Sequence, residues 1–140
     1  MPKLKKRGFT IIELLVVVAI IGLLAVVIVT LLSNAKAKGR DAMRVSDIRI
    51  LQQALEMYQN TYEAYPNYDG DITGNDIVSS ILKTQGIMTH IPLDPINNTA
   101  DGVPYRYHYK SDDVGTYLIE YYLETNSIES RSKGLNSVEP

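Results

Sequence analysis

"KKRGFTIIEL", residues 5–14, opens onto a long apolar run, and its reading decides the fold. Between residues 9 and 32 only Thr10, Glu13, Gly22 and Thr30 interrupt the large apolar residues and alanines. As a helix this run rises roughly 36 Å at about 1.5 Å per residue. That is enough to cross a bilayer core of roughly 30 Å. Its β-branched residues weaken intrinsic helix propensity. In lipid that matters little, because a lone spanning segment must satisfy its own backbone hydrogen bonds. Glu13 is the anomaly. A carboxylate at bilayer depth costs on the order of 2.5–3.5 kcal/mol on insertion scales. Taken alone it reads two ways: an acid favoured by the helix dipole and snorkelling to the interface, or a charge kept for a contact made later.

The flanks leave three readings of the run. Lys3, Lys5, Lys6 and Arg7 precede it without an acid, and Lys36, Lys38, Arg40 and Arg44 follow it closely. The positive-inside rule therefore gives a nearly balanced vote. A secretory signal peptide would use Ser33-Asn34-Ala35 as its cleavage site, but the apolar core is far longer than the usual ~7–15 residues. A plain membrane anchor is the second reading. The third is an anchor that later becomes the core of a polymer, its basic leader removed after Gly8.

Bulk composition narrows the function. The chain has 140 residues and no cysteine. Disulfides, thiolate catalysis and Cys-ligated metals are thereby excluded. The net charge of −2 hides a polarity: from Thr61 onward 12 acids face 5 bases. That acidity argues against nucleic-acid binding by the distal part. His90 and His108 are isolated, with no Gly-rich phosphate loop and no nucleophile elbow beside them. No enzymatic reading follows from them. Asn97-Asn98-Thr99 matches a glycosylation sequon, too common a tripeptide to weigh.

Beyond the apolar run, Val45, Ile48, Leu51, Leu55, Tyr58 and Tyr62 recur in steps of three and four. This is the stripe of an amphipathic helix that packs one face on a domain. One helix from about residue 10 to 60 would be some 75 Å long. Lys36, Lys38, Arg40, Arg44 and Arg49 fall mostly off the stripe and read as a solvated basic face. Tyr65-Pro66-Asn67-Tyr68-Asp69-Gly70 ends the helix in a loop. Asn67, Asp69 and Asp71 are spaced like the start of a calcium loop, but Ile72 and Val78 occupy its glycine and glutamate positions. Asp76 predicts the N-cap of a short helix over 77–85, stopped by Gly86. Tyr105, Tyr107 and Tyr109 alternate along one strand, and 116–124 forms a second after a turn at 111–115. A third strand near Ile128 is weakly signalled, and 130–140 reads as a frayed tail.

The junction resembles the processing signal of type IV pilins and of the pilin-like pseudopilins of type II secretion. Its elements are a short basic leader ending in Gly8, then Phe9, then Glu13 as fifth residue of the mature chain, then an unbroken apolar helix. The Pro92-x-Asp94-Pro95 loop and tyrosine-rich hairpin are similar to the major pseudopilin. There are departures. Thr30 stands where many pilins carry proline, no tryptophan follows Asp94-Pro95, and the acidic, glycine-rich calcium tail is missing. No cofactor is expected, calcium being the one the resemblance leaves open. The resemblance implies an α+β pilin fold, a long N-terminal α-helix packed on a small antiparallel sheet. It divides the chain into a leader (1–8), a membrane and assembly helix (9–32), the second half of the stem (33–62) and a globular head (63–140). It implies cleavage by a prepilin peptidase between Gly8 and Phe9, with N-methylation of Phe9. Glu13 would then pair with the Phe9 amine of a neighbouring subunit, one charge offsetting the other in an apolar bundle. Implied partners are further copies of the chain in a helical polymer, minor pilins, an inner-membrane assembly platform with its ATPase motor, and lipid before assembly; nucleic acid is not among them. The chain would span the cytoplasmic membrane with its N-terminus inside, and then join a periplasmic or extracellular filament. The rival reading is a membrane-anchored binding domain that never polymerises.

Overall fold

The computed structural model describes residues 8–112 and 115–140. The leader side chains Lys3, Lys5, Lys6 and Arg7 therefore lie outside the described residues, as does part of the expected 111–115 turn. The chain is α+β, in the order α1 (Ile11–Tyr62), β1 (Tyr68–Asp71), α2 (Ile77–Thr84), β2 (Asn98–Ala100), β3 (Val103–Tyr105), β4 (His108–Ser111), β5 (Leu118–Leu123) and β6 (Gly134–Val138). It divides into two compact units, Met1–Lys36 and Ala37–Pro140.

In the first unit every described residue is exposed. The apolar side chains of α1 have no protein cover there, and this is the one described helix long and apolar enough to cross a membrane.

In the second unit the remainder of α1 packs on an antiparallel sheet of order β1-β4-β5-β6. Alternation along β4 and β5 sends Tyr109, Ile119, Tyr121 and Leu123 inward, where they join Ile48, Leu51, Ala54 and Leu55 of α1 and Val78 and Leu82 of α2. Of the expected stripe, Ile48, Leu51 and Leu55 are buried and Tyr58 packs against the core. Val45 is half-buried, and Tyr62 is 44% exposed. α2 begins at Asp76, whose carboxylate accepts from the Ser79 amide at 2.9 Å and the Thr73 amide at 2.7 Å. It ends as Gly86 turns left-handed at φ 70° and the Ile87 amide returns to the Leu82 carbonyl.

Three expectations are corrected. The expected 65–70 loop contains a strand, because β1 pairs with β4 from Tyr68–Ser111 to Asp71–His108. The tail does not fray: β6 pairs with β5 from Ile119–Val138 to Leu123–Gly134, and edge pairing needs no strong local pattern. The tyrosine alternation is also split. Tyr105 closes β3 in a separate hairpin with β2, turned by Asp101 and Gly102 at φ 52° and 76°. Tyr107 and Tyr109 continue into the main core, and their hydroxyls donate to Asp47 and to the Pro66 carbonyl, each at 2.9 Å.

The fourth correction concerns Arg44. It is not on a solvated face but wholly buried. Its Nε donates to Asp94 at 2.6 Å, and its Nη1 donates to Asp41 at 2.8 Å and Glu124 at 2.7 Å. The guanidinium also lies 4.9 Å from the Tyr105 ring centroid. Burial by itself would lower the Arg44 pKa, but the hydrogen bonds to Asp94 and Glu124 outweigh it and raise the pKa. Asp41 in turn accepts from the Glu124 and Thr125 amides at 2.9 and 2.8 Å. Asp94 accepts from the Ile96 amide at 2.8 Å. Arg40 adds a partly exposed bridge to Glu124 at 2.5 Å.

Arg44→Met strands buried carboxylates without their cation and is expected to cost about 3–5 kcal/mol. Arg40→Met, at the exposed rim, is expected to cost less than about 1 kcal/mol. Denaturant melts of the detergent-solubilised full chain measure both. Equal losses would contradict this hierarchy.

Candidate functional site

The junction at the start of α1 is built by local chemistry. The first amides of a helix lack intrahelical partners. Thr10 and Glu13 supply them to each other: the Thr10 amide and hydroxyl donate to Glu13 Oε2 at 2.8 and 2.7 Å, and the Glu13 amide donates to Thr10 Oγ1 at 3.3 Å. This is a reciprocal capping box. Thr10 is therefore a site residue that the sequence reading passed over, although Thr10-Ile11-Ile12-Glu13 spells the motif in full. Glu13 keeps Oε1 free of hydrogen bonds among the described residues. Gly8 and Phe9 precede the helix and are exposed. A Cβ on Gly8 would meet nothing within 4 Å, so this glycine is open to close approach from outside.

In the second unit a charged cluster covers the outer face of the sheet. His108 on β4 lies between two β1 carboxylates, with Nδ1 3.0 Å from Asp71 and Nε2 3.0 Å from Asp69. Arg106 donates to Asp71 at 3.0 Å, and Lys110 lies 3.4 Å from Asp69. Glu120 on β5 stands opposite His108 in register. Partial burial would lower the His108 pKa, but the hydrogen bonds to Asp71 and then Asp69 hold it above its ordinary value. Burial pushes Asp71 up, but His108 and Arg106 outweigh it and hold the carboxyl below its usual range. Among the described residues no group of three or more His, Cys, Asp and Glu side chains is arranged to hold a metal ion.

Because the folded-state pKa of His108 is raised, its contribution to stability is complete below about pH 6.5 and is lost as pH rises through the raised value. In an NMR titration the His108 midpoint is expected above the ordinary histidine value, falling back in Asp71→Asn. An unshifted midpoint in the parent chain would remove the clamp.

An apolar N-terminal helix with a Gly8-Phe9 junction and a capped Glu13, together with an antiparallel head, defines a pilin-like protein. The family model for the prokaryotic N-terminal methylation motif matches residues 3–29. Type II secretion system core protein G of Escherichia coli K12 is 34% identical over 106 residues, covering 67% of this chain and 69% of that protein. The core protein G of Aeromonas hydrophila is 41% identical over 104 residues, covering 70% and 73%. That of Vibrio cholerae is 41% identical over 106 residues, covering 70% and 71%. No solved structure matches significantly. The chain belongs to the family of type II secretion system core protein G, the pilin-like pseudopilins.

Proposed function

We propose that the chain is a structural subunit of a type II secretion pseudopilus, held first in the cytoplasmic membrane and then in a periplasmic filament. The observation that carries this reading is an exposed apolar stem that begins one residue after Gly8 and holds a single carboxylate, Glu13. A prepilin peptidase cuts between Gly8 and Phe9, and the new Phe9 amine is methylated. Methylation leaves the amine its positive charge. Lys3, Lys5, Lys6 and Arg7 stay on the cytoplasmic side of the span.

Glu13 then has two roles, one per oxygen. Oε2 caps its own helix through Thr10. Oε1 is open to the Phe9 amine of a neighbouring subunit, and that pairing favours one axial stagger over others. An unpaired charge inside an apolar bundle costs several kcal/mol. The assembly platform and the ATPase motor are separate partners that supply the energy. The head contributes an acidic surface and no chemistry of its own.

Mass spectrometry of protein from cells that possess the peptidase is expected to find a chain beginning at methylated Phe9; an intact leader there would favour an anchored domain that never polymerises. Glu13→Gln keeps an acceptor at the capping position but removes the charge. It is expected to be processed normally and to lower filament yield roughly tenfold or more. Normal filaments from that variant would remove the charge pairing while leaving the processing step intact.

A further inference from the structure

In the second unit α1 has a second apolar row, separate from the one that builds the core. The buried row runs Asp41, Arg44, Ile48, Leu51, Leu55. Met43, Ile50 and Met57, each seven residues from the next, lie roughly 130° around the helix from it. They are 59%, 43% and 57% exposed. Beside Ile50 and Met57 the segment after α2 brings up Ile87 and Met88, and a groove of about 320 Å³ opens between them. Ala54 also lines it, and His90 closes one end.

The chemistry of this groove is selective. No carboxylate, lysine or arginine lines it, although 21% of the chain is charged. Apart from Met1, every methionine of the chain lies in it or on the same helical row. Methionine adapts its unbranched side chain to irregular apolar partners, so it suits a surface that receives another helix. The occupant must be apolar, elongated and free of charges along the contact.

The chain itself carries one such segment. Residues 14–32, beyond the capped Glu13, are apolar, contain no charged residue, and are exposed all round. When a subunit leaves lipid, that surface needs protein cover. Groove and stem are different surfaces, so a contact between them joins unlike patches on successive copies. Contacts of that kind do not close on themselves unless a rotation happens to complete a ring, and otherwise propagate as helical filaments. Resting on the pseudopilus reading, we infer that the Ile50–Met57–Ile87–Met88 groove is the seat for the apolar stem of a second copy of this chain.

The test uses the full chain in cells with its own secretion machinery. Benzoyl-phenylalanine in place of Ile50 is activated by light, and adducts are mapped by mass spectrometry. The expected product is a two-copy adduct joining position 50 to the tryptic peptide 9–36. Adducts confined to head peptides, to another membrane protein or to lipid would overturn the proposal. In parallel, the Ile50→Glu, Met57→Glu double variant is expected to be inserted and cut after Gly8 normally but to lower filament yield about tenfold or more. Ile77→Glu, equally exposed but outside the groove, is expected to assemble as the parent does. Normal filaments from the double variant would overturn the groove alone. A parent chain that forms no filament would overturn the pseudopilus reading as well.

Discussion

The head is organised around one buried guanidinium. Taking Arg44 out of water costs several kcal/mol unless its charge is matched and its donors are satisfied. The match comes from three places in the chain: Asp41 one turn earlier on α1, Asp94 in the loop before Pro95, and Glu124 just beyond β5. Asp41 and Asp94 are themselves held by backbone amides. The network therefore fixes where the 91–97 loop and the end of β5 stand against the helix. Its contribution is better described as specificity than as net stability, since an apolar core of equal volume would be cheaper to bury. A hydrophobic stripe alone would permit α1 to slide or rotate on the sheet. A cation with three directional partners does not.

The apolar stem obeys the opposite rule. Nothing in the described chain covers residues 9–32, and their composition is wrong for water. Apolar surface of this extent is stable in lipid or under protein cover, not in water. The stem's one acid has one oxygen satisfied by Thr10 in the course of capping the helix, but the Thr10 donors are neutral and its charge has no opposite charge beside it among the described residues. The result is a stem whose start is capped by its own residues.

Much of this was legible in particular residues. Gly8, Phe9 and Glu13 ahead of an unbroken apolar run signalled the stem, and Asp76 and Gly86 marked both ends of α2. Thr10 was legible too, since its capping motif is written in four consecutive residues. Arg44 was not. Asp41 and Arg44 extend the 48-51-55 row backward in steps of three and four, so periodicity places them on the buried face, but charge argued for solvent. Only Asp94 and Glu124, 50 and 80 residues further on, reverse that argument. β1 and β6 were hidden for a related reason: short edge strands lean on hydrogen bonds from β4 and β5, not on their own pattern.

The sequence by itself determined the features whose causes are local: an apolar stem of membrane length, an N-terminal methylation motif, helix caps and the central β5 strand. These depend on side chains within a few residues of one another, where spacing carries the physics. The tertiary structure decided which charges lie inside and which lie out. It clamps His108 between Asp69 and Asp71, and it raises a groove beside Ile50 and Met57. Those outcomes depend on segments brought together from 30 to 80 residues apart, and the free energy of a buried charge is set by such distant partners rather than by its neighbours in the chain.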